Sequence, residues 1–311
     1  MFSKLEMRSN FFYPPEWSKQ QGTIFIVPQP HHDWGCCFDE VMEKFRYFVS
    51  VVSKYQKVYL IGDFGGEYEE IENIPTDDTW ARDTLPLTIF DKNGDRYFLN
   101  YQFNGWGGKF DFSNDNLITQ RLSNIGFFPK EKIINLPYIV EGGAVETNGD
   151  ILLVTKSSIL NRNRGQKSEE SRREIENSFY QYLGVEKVVW IDNSYLEGDD
   201  TDGHIDMLAR FGDRKTILYS LDEVGDELKE KLPDFQYIQL PNPKFGEFPA
   251  TYLNFIFVNG AVLIPTYEVA EDREAIEIFR KIFPDRKVEP VDSSIFIRQG
   301  GSLHCLTMQL Y

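Results

Sequence analysis

The chain has 311 residues, 41% of them apolar and 15% aromatic, enough for a substantial core, and its formal net charge is −16. That charge repels phosphate backbones and anionic lipid surfaces, and no run of about 18 apolar residues is present to span a bilayer, so nucleic acid and membrane are excluded as partners. Three cysteines, two of them adjacent at Cys36 and Cys37, make neither a disulfide framework nor a zinc knuckle, which leaves Cys305 a free thiol.

Met1 to Arg8 is too charged for a signal peptide, and a cytoplasmic protein is expected. Residues 39–56 place Val41, Met42, Phe45, Phe48, Val49 and Val52 at helical spacing after Asp39 in N-cap position, and the strand 57–60 follows. A loop over 76–83 carries Asp78, Trp80 and Asp83 ahead of a strand over 85–90. After the turn Asn93-Gly94 and the strand 96–99, residues 104–108 form a flexible aromatic loop around Trp106. A helix over 116–122 leads to the strand 132–136, then Glu141 beside Gly142 and Gly143, then the turn Asn148-Gly149 and the strand 151–154.

Arg162 and Arg164 lie in a polar loop, either as surface or backbone-bonding residues or as a positive partner for a substrate carboxylate. A helix over 168–183 and a strand over 187–190 precede the acidic segment 199–206, where extended backbone would set His204 and Asp206 on one face. Strand 216–219, helix 222–232, strand 236–240, strand 261–264, helix 272–283 and strand 287–291 complete the pattern. The run 303–308 reads as a strand, so His304 and Cys305 should face opposite ways, which makes His304 a poor base for Cys305.

A polar helix thus leads into a buried strand five times, which predicts an α/β fold of five repeated units in a single domain over 1–311. Trp190 to His204, Leu240 to Asn254 and Val291 to Cys305 are each fourteen residues, an equal offset that would carry three side chains to one end of a ring; Asp83 and Glu141 depart from it. Taken singly, Cys305 could be an inert buried thiol, the 199–206 segment a solvated turn, and the 76–83 cluster a helix cap. Four histidines, two of them adjacent at His31 and His32, are too few for a convincing metal site. Carboxylates beside indoles, however, suit a planar cation, gripped at its edge and stacked on its face.

Read in order, Trp80-Ala81-Arg82-Asp83, Glu141-Gly142-Gly143, Thr201-Asp202-Gly203-His204-Ile205-Asp206 and Gly301-Ser302-Leu303-His304-Cys305 resemble the agmatine deiminase and bacterial peptidylarginine deiminase family of guanidine-modifying enzymes, from Pro15-Glu16-Trp17 to the C-terminus. The resemblance implies a five-unit pseudo-symmetric α/β propeller of ββαβ-type repeats around a central pocket. It implies Cys305 as nucleophile, His204 as general acid and base, Asp83 and Asp206 as the carboxylates that hold the guanidinium, and Glu141 as a residue that orients His204 or completes the cage. Trp80, Asp78, Trp106, Asp202 and Gly301 become the substrate-binding candidates. The chain departs from the family's usual Gly-Asn-Ile before His-Cys, with Gly301-Ser302-Leu303, and from its Asn after His-Val-Asp, with Met207.

The implied activity is hydrolysis of agmatine to N-carbamoylputrescine and ammonia through a cysteine thiouronium intermediate, in putrescine biosynthesis, with no cofactor and no metal. Arginine or peptidylarginine deimination is the alternative. An amidinotransferase would pass the group to an amine instead of water, and a non-catalytic guanidine-binding protein would tolerate loss of Cys305. The partner is a small cationic guanidine, and a homodimer is compatible with the family.

Overall fold

The computed structural model describes residues 9–311; the signal-peptide argument from Met1 to Arg8 lies outside them. Among the described residues, strands form five small sheets of three or four strands in a mixed α/β fold. One internal pattern recurs: an antiparallel pair, a helical segment, then a strand parallel to the second member of the pair. The pairs Leu87–Asp91 with Arg96–Gln102, Val145–Thr147 with Ile151–Thr155, Ala209–Phe211 with Thr216–Tyr219 and Ile256–Val258 with Ala261–Thr266 are followed by Ile133–Ile139, Lys187–Ile191, Gln236–Gln239 and Lys287–Asp292. In the remaining sheet the two chain ends meet, because Thr307–Leu310 runs antiparallel to Gly22–Ile26, which is parallel to Lys57–Ile61. This closure brings the Cys305 segment against the N-terminal sheet.

The helices form where the apolar spacing asks for them. In Phe38–Ser53 the residues Val41, Phe45, Phe48, Val49 and Val52 are fully buried, and Phe45 and Phe48 meet Phe25 of the strand Gly22–Ile26 edge to face. Each such side chain contributes about 1.5–3 kcal/mol through burial. Glu169–Ser178 starts on Ser168, whose hydroxyl accepts from the Ser171 amide, and it continues into one wider π-type turn, Phe179–Leu183, that ends at Gly184 in the left-handed region.

Four local expectations change. Residues 303–306 form a turn and the strand begins only at Thr307, because the Leu306 and Thr307 amides bond back to Ser302 and His304. Ile205–Met207 is a 3-10 turn rather than extended backbone. Ala81–Thr84 is a short helical turn, not a loop. Gly105–Gly108 is a single coiled turn that buries Trp106, not an open loop; Trp106 itself takes φ 51°, held there by packing against Phe103 and Phe110. Among the described residues, no helix is long and apolar enough to cross a membrane.

Candidate active site

Five separated segments carry the candidate residues to one region, and two glycines make the approach feasible. A Cβ on Gly143 would stand 2.7 Å from His204 Nδ1 and 3.0 Å from both Asp206 Oδ2 and Asp83 Oδ1, so three side chains converge on that position. The Gly143 amide donates to Asp83 Oδ1 at 2.9 Å. A Cβ on Gly301 would lie 2.5 Å from the Trp80 ring and 3.0 Å from Cys305 Cβ, so only glycine lets the Cys305 turn rest on that indole.

His204 is fully buried, with Nδ1 3.7 Å from Asp83 Oδ2 and Nε2 3.8 Å from Glu141 Oε2. Among the described residues, neither ring nitrogen has a hydrogen-bond partner, and nor does Asp206 Oδ1. Buried polar atoms are nearly always paired, so three orphans in one cluster mark a place built to receive something. Burial disfavours the His204 cation, but Asp83, Glu141 and Asp206 together outweigh it and raise the ring's pKa to about 9. Burial and the Asp206 and Asp83 carboxylates push the Cys305 thiol well above its ordinary range, with Asn254 opposing. Burial also raises Asp83, whereas Asp206, despite burial, is held low by its bond to His304.

Cys305 opens onto a cavity of about 490 Å³. Asp78, Trp80, Asp83, Trp106 and Gly301 line it, while His204, Asp206 and Glu141 stand behind the wall. Trp106 Nε1 donates to Asp83 Oδ2 at 2.9 Å, which turns that carboxylate and fixes the indole beside it. Asp202 is not on the wall: its carboxylate takes Lys109 at 2.8 Å and Arg164 at 2.7 Å. Arg164 is buried rather than on the surface, and its Nε donates to Glu141 at 2.8 Å, so it braces the acidic cluster and is spent there, whereas Arg162 is exposed.

Sequence reasoning left several neighbours out of the candidate set. Asn254 is the chief of them: its Nδ2 donates to Cys305 Sγ at 3.2 Å and to Asp206 Oδ2 at 3.3 Å, and its Oδ1 accepts from the Ser302 hydroxyl and the His304 amide. The fourteen-residue offset pointed at it. Ser302 and Met207, two of the departures from the usual pattern, both touch this same Asn254 amide. At the mouth, Asp200, Glu247, Phe110 and Phe248 add acidic and aromatic wall, and Arg298 stands exposed at the rim. Burial and the neighbouring Asp199 raise Asp200 to about 6. Among the described residues, no three His, Cys, Asp or Glu side chains are arranged to hold a metal ion.

Residues 12–310 match the Porphyromonas-type peptidyl-arginine deiminase family. The chain belongs to that family. It is 26% identical to an agmatine deiminase of Pseudomonas aeruginosa, over 96% of this chain and 95% of that one. A cysteine-to-serine variant of C. jejuni agmatine deiminase, solved with substrate bound, superposes with TM-score 0.89 at 31% identity, covering 97% of this chain and 96% of that chain. A dimethylarginine dimethylaminohydrolase adduct, at 15% identity and TM-score 0.63 over 94% of this chain and 100% of that one, shares the fold.

Proposed function

We propose that this chain is an agmatine deiminase, which hydrolyses agmatine to N-carbamoylputrescine and ammonia on Cys305. The observation that carries the reading is the chemistry of the cavity: one thiol at its floor, Asp78, Asp83, Asp200 and Glu247 on its wall, and unpaired polar atoms of His204 and Asp206 directly behind. Full-length relatives named agmatine deiminase support it. The five sheets with one internal pattern support a five-bladed α/β propeller, a single catalytic domain, with this pocket on its axis. Three free cysteines fit a reducing, cytoplasmic setting.

A guanidinium carbon is a weak electrophile, since resonance spreads its charge, so the group has to be fixed and faced with a strong nucleophile. Asp83 and Asp206 accept its N–H groups, with Trp80 and Trp106 against its faces. Its positive charge opposes the carboxylates that hold the Cys305 proton in place, and the thiol ionises to solvent as the substrate seats. The sulfur bonds to the guanidinium carbon, the tetrahedral adduct breaks its C–N bond, and His204 gives its proton to the departing ammonia. Water, deprotonated by the now neutral His204, attacks the S-alkylthiouronium; the C–S bond breaks and the ureido product leaves. Glu141, held by Arg164, faces the His204 ring and favours its protonated form at the start of each cycle.

Because the free thiol is held well above its ordinary pKa, alkylation of the Cys305 peptide by iodoacetamide, followed by mass spectrometry, should be slow at pH 7 and still rising beyond pH 9. A plateau reached by pH 7 would contradict substrate-assisted ionisation. The test of function itself is release of ammonia and ureido product from agmatine, free arginine and a peptide ending in arginine. The acidic wall predicts preference for agmatine, whose far end is an amine. Arg298 at the rim is the observation that favours arginine or peptidylarginine: turnover of arginine but not agmatine, lost in Arg298→Ala, would transfer the assignment.

A further inference from the structure

The proposed steps leave His304 unused, although it adjoins Cys305 in the chain. Its ring is buried, with Nδ1 2.6 Å from Asp206 Oδ2 and Nε2 2.8 Å from Glu16 Oε2. Glu16 also receives Arg210 Nη2 at 2.5 Å and the Phe257 amide at 2.8 Å, and Arg210 Nε donates to Glu146 at 2.9 Å. The His304 backbone is pinned as well: its amide donates to Asn254, and its carbonyl accepts from Arg82 Nε at 3.3 Å. A row of hydrogen-bonded polar side chains therefore runs from Asp206 through His304, Glu16 and Arg210 to Glu146, from the site into the core.

The two carboxylates that face the ring are both held below their ordinary range, Glu16 chiefly by Arg210 and His304 against the cost of burial, Asp206 chiefly by His304 against the same cost. Each ring nitrogen therefore meets one carboxylate oxygen, and the ring bridges Asp206 and Glu16. The contacts differ in kind from those of His204, whose ring nitrogens stay unpaired for chemistry.

We propose that His304 is a positioning residue for the reaction at Cys305: it grips Asp206 Oδ2 from the core side, so that the unpartnered Oδ1 is held ready for a guanidinium N–H. This rests on the reading of Asp206 as a guanidinium acceptor. A cage that holds a planar cation tolerates little misalignment, and a carboxylate left with only the longer 3.3 Å contact from Asn254 would hold that alignment less well.

Isosteric replacement separates the two ring contacts, since Asn reaches roughly where Nδ1 lies and Gln roughly where Nε2 lies. His304→Asn should stay within about tenfold of the wild type in kcat/KM for agmatine, while His304→Gln, which loses the Asp206 bond, should fall about 100-fold or more. In the Cys305→Ala background, His304→Gln should weaken agmatine binding about tenfold. A purely structural brace would instead lower the melting temperature of both variants and leave kcat/KM per folded molecule unchanged, which overturns the inference. Should His304→Gln not fold, ¹⁵N-histidine spectra of the Cys305→Ala protein decide: a shift of the His304 Nδ1 signal on addition of agmatine is the expected result. A ring indifferent to agmatine refutes it. Wild-type turnover run in parallel separates this from the underlying reading, because a wild type inert toward every guanidine sinks the assignment of Asp206 itself.

Discussion

Cys305→Ala should abolish turnover of agmatine, lowering kcat by about 10⁴-fold or more, while leaving agmatine binding within a few-fold of wild type. The expectation follows from covalent catalysis, in which no other group on the cavity wall can form the bond to carbon: Asp78, Asp83, Asp200 and Glu247 are weaker nucleophiles toward a cation that they are placed to hold. Removing one sulfur takes away neither the indoles nor the carboxylates, so the two effects separate cleanly. Loss of both binding and turnover would mean that the thiol organises the pocket through Asn254 and Asp206 rather than reacting.

Arg210→Met should cost the fold about 3–5 kcal/mol, read as a fall in urea midpoint at unchanged slope. Arg210 is wholly buried in the strand Ala209–Phe211, stacked over Phe255 at 4.7 Å and bonded to Glu16, Glu146 and the Leu253 and Phe255 carbonyls. Methionine fills much of the same volume but strands two buried carboxylates. Burial already raises Glu146 in the intact protein, with Arg210 opposing, so it would take up a proton once the guanidinium is gone. Adding Glu146→Gln to Arg210→Met should therefore recover part of the loss. An Arg210→Met protein as stable as wild type, within about 0.5 kcal/mol, would show that the buried Arg210 ion pairs contribute nothing net.

The five strands that follow polar helices were legible because each carries a burst of apolar residues after a helix of clear 3.6-residue period, and Lys57–Ile61, Lys187–Ile191, Gln236–Gln239 and Lys287–Asp292 start where that pattern changes. The turn at 303–306 was not, since Leu303, Cys305 and Leu306 are as apolar as a strand and only the backbone bonds to Ser302 and His304 reveal the turn. Site residues framed by glycine stood out, as at Glu141, His204 and Cys305. Those read by distance alone did not: Glu16 lies 288 positions from the histidine it holds, and Arg164 looks like any loop arginine until Glu141 and Asp202 are brought to it. Arg210 sits in a three-residue strand with nothing beside it in the chain to announce two buried partners. The acidic mouth escaped for the same reason, because Asp200, Glu247 and Arg298 meet only when the loops assemble.

The most direct test of a covalent agmatine deimination on Cys305 is the mass of the Cys305 peptide after rapid acid quenching during turnover of agmatine. The expected adduct weighs agmatine less one ammonia, appears only on Cys305, and decays as N-carbamoylputrescine accumulates. Product formed at full rate with the peptide never modified, or modification on another residue, would contradict the account.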